Sequence, residues 1–242
     1  MNLFGFRRPG VTVVKAWCSP FYVDVDGPAG EYLALIDRLL ALLPSASLDG
    51  CVNAGELQPL PSLRRALAKM RAVDVESLFL VDEAGEPVLS VVIDPLATAG
   101  ATVFAFVVVL SPAAQAARDP LLQALAGQRL HYAYARSLAT HCSPLSEVRS
   151  SRSWFRPPQR VPGPREGWLV PEPDVRTGAV RGLFPVNILS ALALARLSGS
   201  GLRLPPSVPA SGGVLWRVDA AEQQEIVRRN PDFKAYLHFG HS

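Results

Sequence analysis

The stretch Ser77-Leu-Phe-Leu-Val-Asp-Glu-Ala-Gly-Glu-Pro-Val-Leu-Ser-Val-Val-Ile93 decides how this chain is read. Leu78 to Val81 and Val88 to Ile93 are rich in aliphatic and β-branched residues. Asp82-Glu83-Ala84-Gly85 between them is a turn signal, so the pattern predicts a hairpin. Ten residues further on, Val103-Phe-Ala-Phe-Val-Val-Val-Leu110 shows no polar alternation. Such a run needs cover on both faces and belongs in the middle of a sheet. Amphipathic segments on either side of this stretch are available to supply the cover.

The chain has 242 residues, of which 49% are hydrophobic, enough for a full core. Its formal net charge of +3 is too mild to single out nucleic acid as a partner. Three cysteines, Cys18, Cys51 and Cys142, stand at wide spacings, which argues against a disulfide framework and fits a reducing compartment. Arg7 and Arg8 are followed by Pro9-Gly10 and Lys15, so no secretory leader is expected. Leu96 to Ala117 carries no charge, but its β-branched and aromatic content favours a buried strand over a membrane span.

In chain order, Val11 to Cys18 has strand content, which Phe21 to Val25 continues past Ser19-Pro20. Asp26-Gly27-Pro28 then opens a helix, with Asp26 or Gly27 as N-cap and Pro28 near the first turn. Tyr32, Leu35, Ile36, Leu39, Leu42 and Leu43 recur at helical spacing until Pro44. After a turn-rich passage from Ser45 to Pro61, Ser62 is placed to cap a second helix, expected over 62–72. Its Leu63, Ala66, Leu67 and Met70 face the sheet. Asp119-Pro120 starts another helix with Leu121, Leu122 and Leu125 on its apolar side, and Leu130 to Cys142 is expected to continue as helix.

Glu147 to Val180 mixes Arg149, Arg152, Arg156, Arg160, Arg165 and Arg176 with Pro157, Pro158, Pro162, Pro164, Pro171 and Pro173. Long regular structure is not expected there. The segment reads as an extended loop between lobes 1–146 and 181–242 of a single domain. A helix over Val186 to Leu197 is expected next, then a Gly/Pro loop from Gly199 to Gly213 and a strand from Val214 to Val218. The capping box Asp219-x-x-Glu222 opens a last helix that Asn230-Pro231 stops, and Phe233 to Phe239 offers an edge strand. The fold class is therefore α/β of the α+β kind: a mostly antiparallel central sheet covered by helices, with a Pro/Arg-rich loop before a smaller C-terminal lobe.

No pattern carries catalysis, a cofactor or a metal. Asp24-Val25-Asp26-Gly27 resembles a fragment of a cation loop without its remaining ligands. His238-Phe-Gly-His241 has neither a cysteine partner nor a His-Glu-x-x-His frame. His131 and His141 stand near Ser137 and Cys142, but without a nucleophile elbow. Gly199-Ser200-Gly201 precedes no helix, so it is not a phosphate loop. The arginines and aromatics from Arg149 to Arg156 are the best nucleic-acid candidate, yet they read more simply as a loop with Trp154 packed and its arginines solvated. Asp24, Asp26, Glu31, Asp37, Asp49 and Glu56 are opposed only by Arg38 over that span. They form an acidic front that serves equally as a solvated helix face or as a partner surface.

Arg181-Gly-Leu-Phe-Pro-Val-Asn-Ile-Leu-Ser190, then Leu204-Pro205-Pro206, then Gly212-Gly-Val-Leu-Trp216, resemble the C-terminal part of the bacterial immunity protein 52 type family, with Leu183 where that family often carries Trp. The resemblance covers the last third of the chain well and the remainder in layout only. It implies a cytoplasmic, non-enzymatic protein that binds and neutralises a restriction-endonuclease-like toxin delivered by type VI secretion, with the acidic front as its partner surface. It implies no direct contact with nucleic acid or membrane. An effector-loading adaptor and an unrecognised hydrolase or transferase are the alternatives.

Overall fold

A computed structural model describes residues 11–19, 29–43, 47–94, 103–126, 129–138, 149–153, 156–161, 178, 180, 184–199, 208–210 and 213–229. The expected strand over Phe21 to Val25, the C-terminal edge strand over Phe233 to Phe239, Pro44 and Asn230-Pro231 lie outside them.

The central strand is β1 (Val11–Ser19). It pairs antiparallel with β6 (Val103–Leu110) on one side and with β7 (Arg129–Leu138) on the other. The expected hairpin forms as β4 (Ser77–Val81) and β5 (Pro87–Asp94), turning at Gly85 with φ 72°. β5 pairs with β6, so the apolar Val103–Leu110 run does sit inside the sheet. Two further strands, β2 (Asp49–Val52) and the two-residue β3 (Gln58–Pro59), extend this side to an edge. On the other side β10 (Val186–Leu189) pairs with β7, followed by β12 (Gly213–Arg217) and β11 (Val208–Ala210). The ten-stranded order is β11-β12-β10-β7-β1-β6-β5-β4-β2-β3, and every pairing in it is antiparallel. Strands from both sides of the Pro/Arg-rich segment thus share one sheet.

Helices α1 (Gly30–Leu40), α2 (Leu60–Leu67) and α3 (Arg118–Ala126) cover one face. Leu35, Ile36, Leu39, Leu63, Leu67, Leu121 and Leu125 pack there with Val14, Ala16, Leu80, Val91, Phe106 and Val108. α4 (Ala191–Gly199) and α5 (Ala220–Arg229) contribute to a smaller core with Trp17, Tyr132, Tyr134 and Trp216. Tyr134 stacks on Phe184 with ring centroids 4.0 Å apart. Gly50 lets β2 pass close under α2, because a Cβ there would meet Phe79 O at 2.7 Å and Leu63 Cδ2 at 2.8 Å.

Several expectations are corrected. Leu130 to Leu138 is strand β7, not helix; Tyr132 and Tyr134 enter one core while Ala133 and Ala135 enter the other, a two-residue alternation that β1 needs beside it. Val186 to Leu189 is strand and the helix begins at Ala191, where Ser190 Oγ accepts a hydrogen bond from Ala193 N–H at 3.2 Å. α1 starts after Ala29 rather than at Asp26 or Gly27, with no side-chain cap. α2 starts at Leu60, with Pro61 in its first turn, so Ser62 is inside the helix rather than its cap, and it stops at Leu67 short of residue 72. Ser45 to Pro61 holds β2 and β3 among its turns, and the expected 199–213 loop holds β11. Within 147–180, β8 (Arg149–Ser153) and β9 (Arg156–Val161) pair as a separate two-stranded ribbon: β8 has no proline, and the ladder uses Arg156, Gln159, Arg160 and Val161 of β9, leaving Pro157 and Pro158 out of the register. The Asp219/Glu222 box forms as expected: Asp219 Oδ1 accepts Glu222 N–H at 2.8 Å and Glu222 Oε2 accepts Asp219 N–H at 2.9 Å.

Two outcomes follow from this packing. Phe106, 1% exposed in the principal core, tolerates no charge; Phe106→Asp should lower stability by about 3–5 kcal/mol, read from urea unfolding, or abolish soluble expression. Asp119 of α3 accepts hydrogen bonds from Arg118 Nε at 2.8 Å and from Arg217 Nη2 of β12 at 2.7 Å. The Arg118 hydrogen bond first, then that of Arg217, holds its carboxyl below the usual aspartate range. A carboxylate depressed in the folded state stabilises above its unfolded pKa of about 3.9 and loses that contribution as pH falls. The wild type should therefore lose more thermal stability than Asp119→Asn between about pH 5 and pH 2; parallel melting curves would contradict the pairing.

Candidate functional site

Of the six residues expected to form an acidic front, the side chains of Asp37, Asp49 and Glu56 fall within the description. Asp24 and Asp26 lie outside the described residues. Glu31 falls in the first turn of α1, and the placement of its side chain is likewise outside the description. Asp37, further along α1, is ion-paired with Arg64 of α2 at 2.6 Å. That pair ties two helices together and removes Asp37 from the free acidic surface. Asp49 opens β2 and Glu56 follows β2 in the connection to β3, so these two exposed carboxylates stand at opposite ends of β2, next to the edge strand β3.

Other acids join them at those ends. Between residues 47 and 94 the chain carries Asp49, Glu56, Asp74, Glu76, Asp82, Glu83, Glu86 and Asp94 against Arg64, Arg65, Lys69 and Arg71. The edge region is therefore negative within a chain that is positive as a whole. At the Asp49 end, Asp82 Oδ1 accepts the Ala84 and Glu86 backbone N–H groups, each at 2.9 Å, which shapes the β4–β5 turn. Glu83 accepts the Ser47 hydroxyl at 2.5 Å. Those acids are employed in holding the turn.

The Glu56 end is built differently. Val52-Asn53-Ala54-Gly55 is a tight turn closed by Gly55 N–H to Val52 O at 2.9 Å, with φ of 51° at Asn53 and 57° at Ala54. Two consecutive left-handed residues are the mark of a primed hairpin turn, a conformation asparagine and glycine favour and alanine resists. Asn53 fixes it: Nδ2 donates to Asp74 O at 2.7 Å, while Oδ1 accepts Glu76 N–H at 2.7 Å and Ser77 N–H at 3.0 Å. Asn53 N–H also donates to Ser77 O at 2.9 Å. The corner is thus fastened to the segment that leads into β4. Asn53 to Leu57 are all exposed, as are Val73, Asp74 and Glu76. Asp74 is held below the usual carboxylate range chiefly by its hydrogen bond with Arg71, at 3.0 Å and 2.9 Å to the two guanidinium nitrogens. Asn53 lies in the passage expected to be turn-rich, and the Asn-x-Gly spacing of Asn53-Ala54-Gly55 is its signal in the sequence.

Among the described residues the possible nucleophiles do not assemble. His131 and Ser137 lie six residues apart on β7, about 20 Å at 3.3 Å per residue, too far for proton transfer. Ser137 Oγ is 3.4 Å from Thr12 Oγ1 on β1. Burial pushes the Cys18 thiol far up, so it is not a thiolate at neutral pH. His141, Cys142 and the two C-terminal histidines lie outside the described residues, as do Trp154 and Phe155. Among the described residues no three His, Cys, Asp or Glu side chains are grouped to hold a metal ion. No helix among them is long and apolar enough to cross a membrane.

Neither a family model nor a curated protein matches the sequence. Among solved structures, the chain is similar to one described as Pseudomonas aeruginosa T6SS protein PA0821, with a TM-score of 0.53 and 13% identity, over 96% of this chain and 77% of that one. At that identity the likeness is one of fold. It extends over nearly the whole chain, whereas the resemblance seen in the sequence is strong only in the last third.

Ala54 yields a direct test of the corner. A non-glycine residue in the left-handed region is disfavoured by about 1–2 kcal/mol, partly offset when glycine gains freedom in the unfolded chain. Ala54→Gly should raise stability by about 0.5–1 kcal/mol in denaturant titration; a decrease would show that the turn does not hold this geometry.

Proposed function

We propose that this protein is an immunity protein that binds and neutralises a cognate antibacterial nuclease toxin delivered by type VI secretion, acting in the cytoplasm as a stoichiometric inhibitor and not as an enzyme. The observation that carries this reading is the fold shared with a T6SS protein over 96% of the chain. The immunity-family resemblance of the Arg181 to Trp216 segment points the same way. A negative edge on a positive chain supports it further, because a nuclease is basic where it holds phosphates, and opposite fields speed encounter.

An effector-loading adaptor draws on the same fold likeness, so the test must separate the two. The toxin encoded beside this gene, purified and mixed with this protein, should form a complex and lose DNA cleavage in proportion to the inhibitor, with cleavage abolished near equimolar ratio. Cells lacking the immunity gene should be killed by that toxin and rescued by its expression. Undiminished cleavage within a stable complex, together with loss of toxin export on deletion, would replace inhibition by loading. Absence of any complex would remove both.

A further inference from the structure

Among the described residues four large hydrophobic side chains are strongly exposed: Leu57 at 57%, Val73 at 38%, Val92 at 47% and Leu192 at 52%. Leu192 lies on α4, which packs by β7 and β10 in another part of the fold, whereas Val92 on β5 pairs with Ser77 of β4. Leu57 and Val73 stand at the same end of the sheet, because Asn53 bonds the corner before Leu57 to Asp74 O and to the Glu76 and Ser77 N–H groups. The same end carries Glu56 and Glu76, both exposed, while Asp74 is neutralised by Arg71.

We infer that the Asn53–Leu57 corner with Val73 is a docking surface for the proposed toxin, in which Leu57 and Val73 enter an apolar pocket on that protein and Glu56 and Glu76 meet the basic residues around it. This inference rests on the immunity reading and names its contact. The charge argument fixes the kind of partner: an apolar pair flanked by unneutralised carboxylates matches a face rimmed by lysine and arginine, and repels an acidic one. Rigidity favours it as well. A corner held by four hydrogen bonds of Asn53, two donated and two accepted, loses little freedom on binding, so the apolar contact is not offset by ordering the loop. The neighbouring β3 is only two residues long and ends in Pro59, which blunts the sheet edge against strand addition, so recognition falls to side chains.

The test uses the full-length protein and the toxin encoded beside it, made inactive by substitution in its own active site, with association and dissociation followed separately. Leu57→Ala should speed dissociation about tenfold or more, as loss of an apolar anchor does. The double reversal Glu56→Lys, Glu76→Lys should slow association at low salt and much less at high salt, where screening removes steering. Leu192→Ala, on α4, should bind like the wild type. All these positions are exposed, and equal melting temperatures would confirm intact folds. If the wild type binds and the corner variants bind equally well, or only Leu192→Ala weakens binding, the docking inference falls and the immunity reading stands. If the wild type does not bind, both fall.

Discussion

Everything else in this fold depends on β1 being buried on both faces. Val14, Ala16 and Cys18 enter the principal core, while Trp17 enters the aromatic one and Val13 packs with Leu138. A strand in that position must have both its backbone edges paired and both its faces covered, since an unpaired peptide group there has no water to turn to. Its neighbours β6 and β7 come from far along the chain, the partners Cys18↔Phe104 being 86 residues apart and Trp17↔Tyr132 being 115. The sheet therefore closes through non-local pairing, which is slow to form and lends cooperativity to what forms.

Besides the β7–β10 ladder and the Asp119–Arg217 ion pair, a buried polar side chain ties the C-terminal third to this centre. Asn187 is fully buried on β10; its Oδ1 accepts the Tyr132 hydroxyl at 3.1 Å and Phe184 N–H at 3.3 Å, and its Nδ2 donates to Phe184 O at 2.6 Å. A buried amide with these partners fixes register, because a slip of one residue would leave them unsatisfied. Next to it β12 approaches so closely that a Cβ on Gly213 would press into the Leu189 backbone. Phe184, Asn187, Gly213 and Trp216 are among the residues that carry the immunity-family resemblance, and all of them are packing or close-approach positions. The motif therefore encodes the joint between β7, β10 and β12 and says nothing of which partner is bound.

This difference explains what was legible in the sequence. The β4–β5 hairpin, β6, the stripe of α1 and the Asp219 capping box rest on local signals, such as a turn, an unbroken apolar run or a reciprocal side-chain bond, and all of them form. β7 and β10 rest on no such signal, because Leu130 to Leu138 and Val186 to Leu189 suit a helix as well as a strand until β1 and Asn187 select the strand. β2 and β3 are too short for a period to show in a turn-rich passage. The acidic front was legible as composition only. Proximity in sequence put Asp37 with Asp49 and Glu56, whereas α2 supplies Arg64 to the first, and the fold sends the other two to opposite ends of β2.

Charge alone is thus a poor guide to where this surface would bind, and the same structure says why. Carboxylates here are readily consumed internally: Asp37 by Arg64, Asp74 by Arg71, Asp119 by Arg118 and Arg217, Glu225 by Arg228, and Asp82 by the backbone of its own turn. Exposed ion pairs of this kind contribute little stability, yet they cancel the field a partner would feel. What remains unneutralised next to exposed apolar side chains is a much smaller set, and at the Asn53 corner it coincides with a turn whose alanine sits in a disfavoured conformation. On the docking proposal, a corner that is rigid, exposed and negative places recognition at the sheet's edge, away from the aromatic core in which Phe184 and Trp216 of the resembling segment pack.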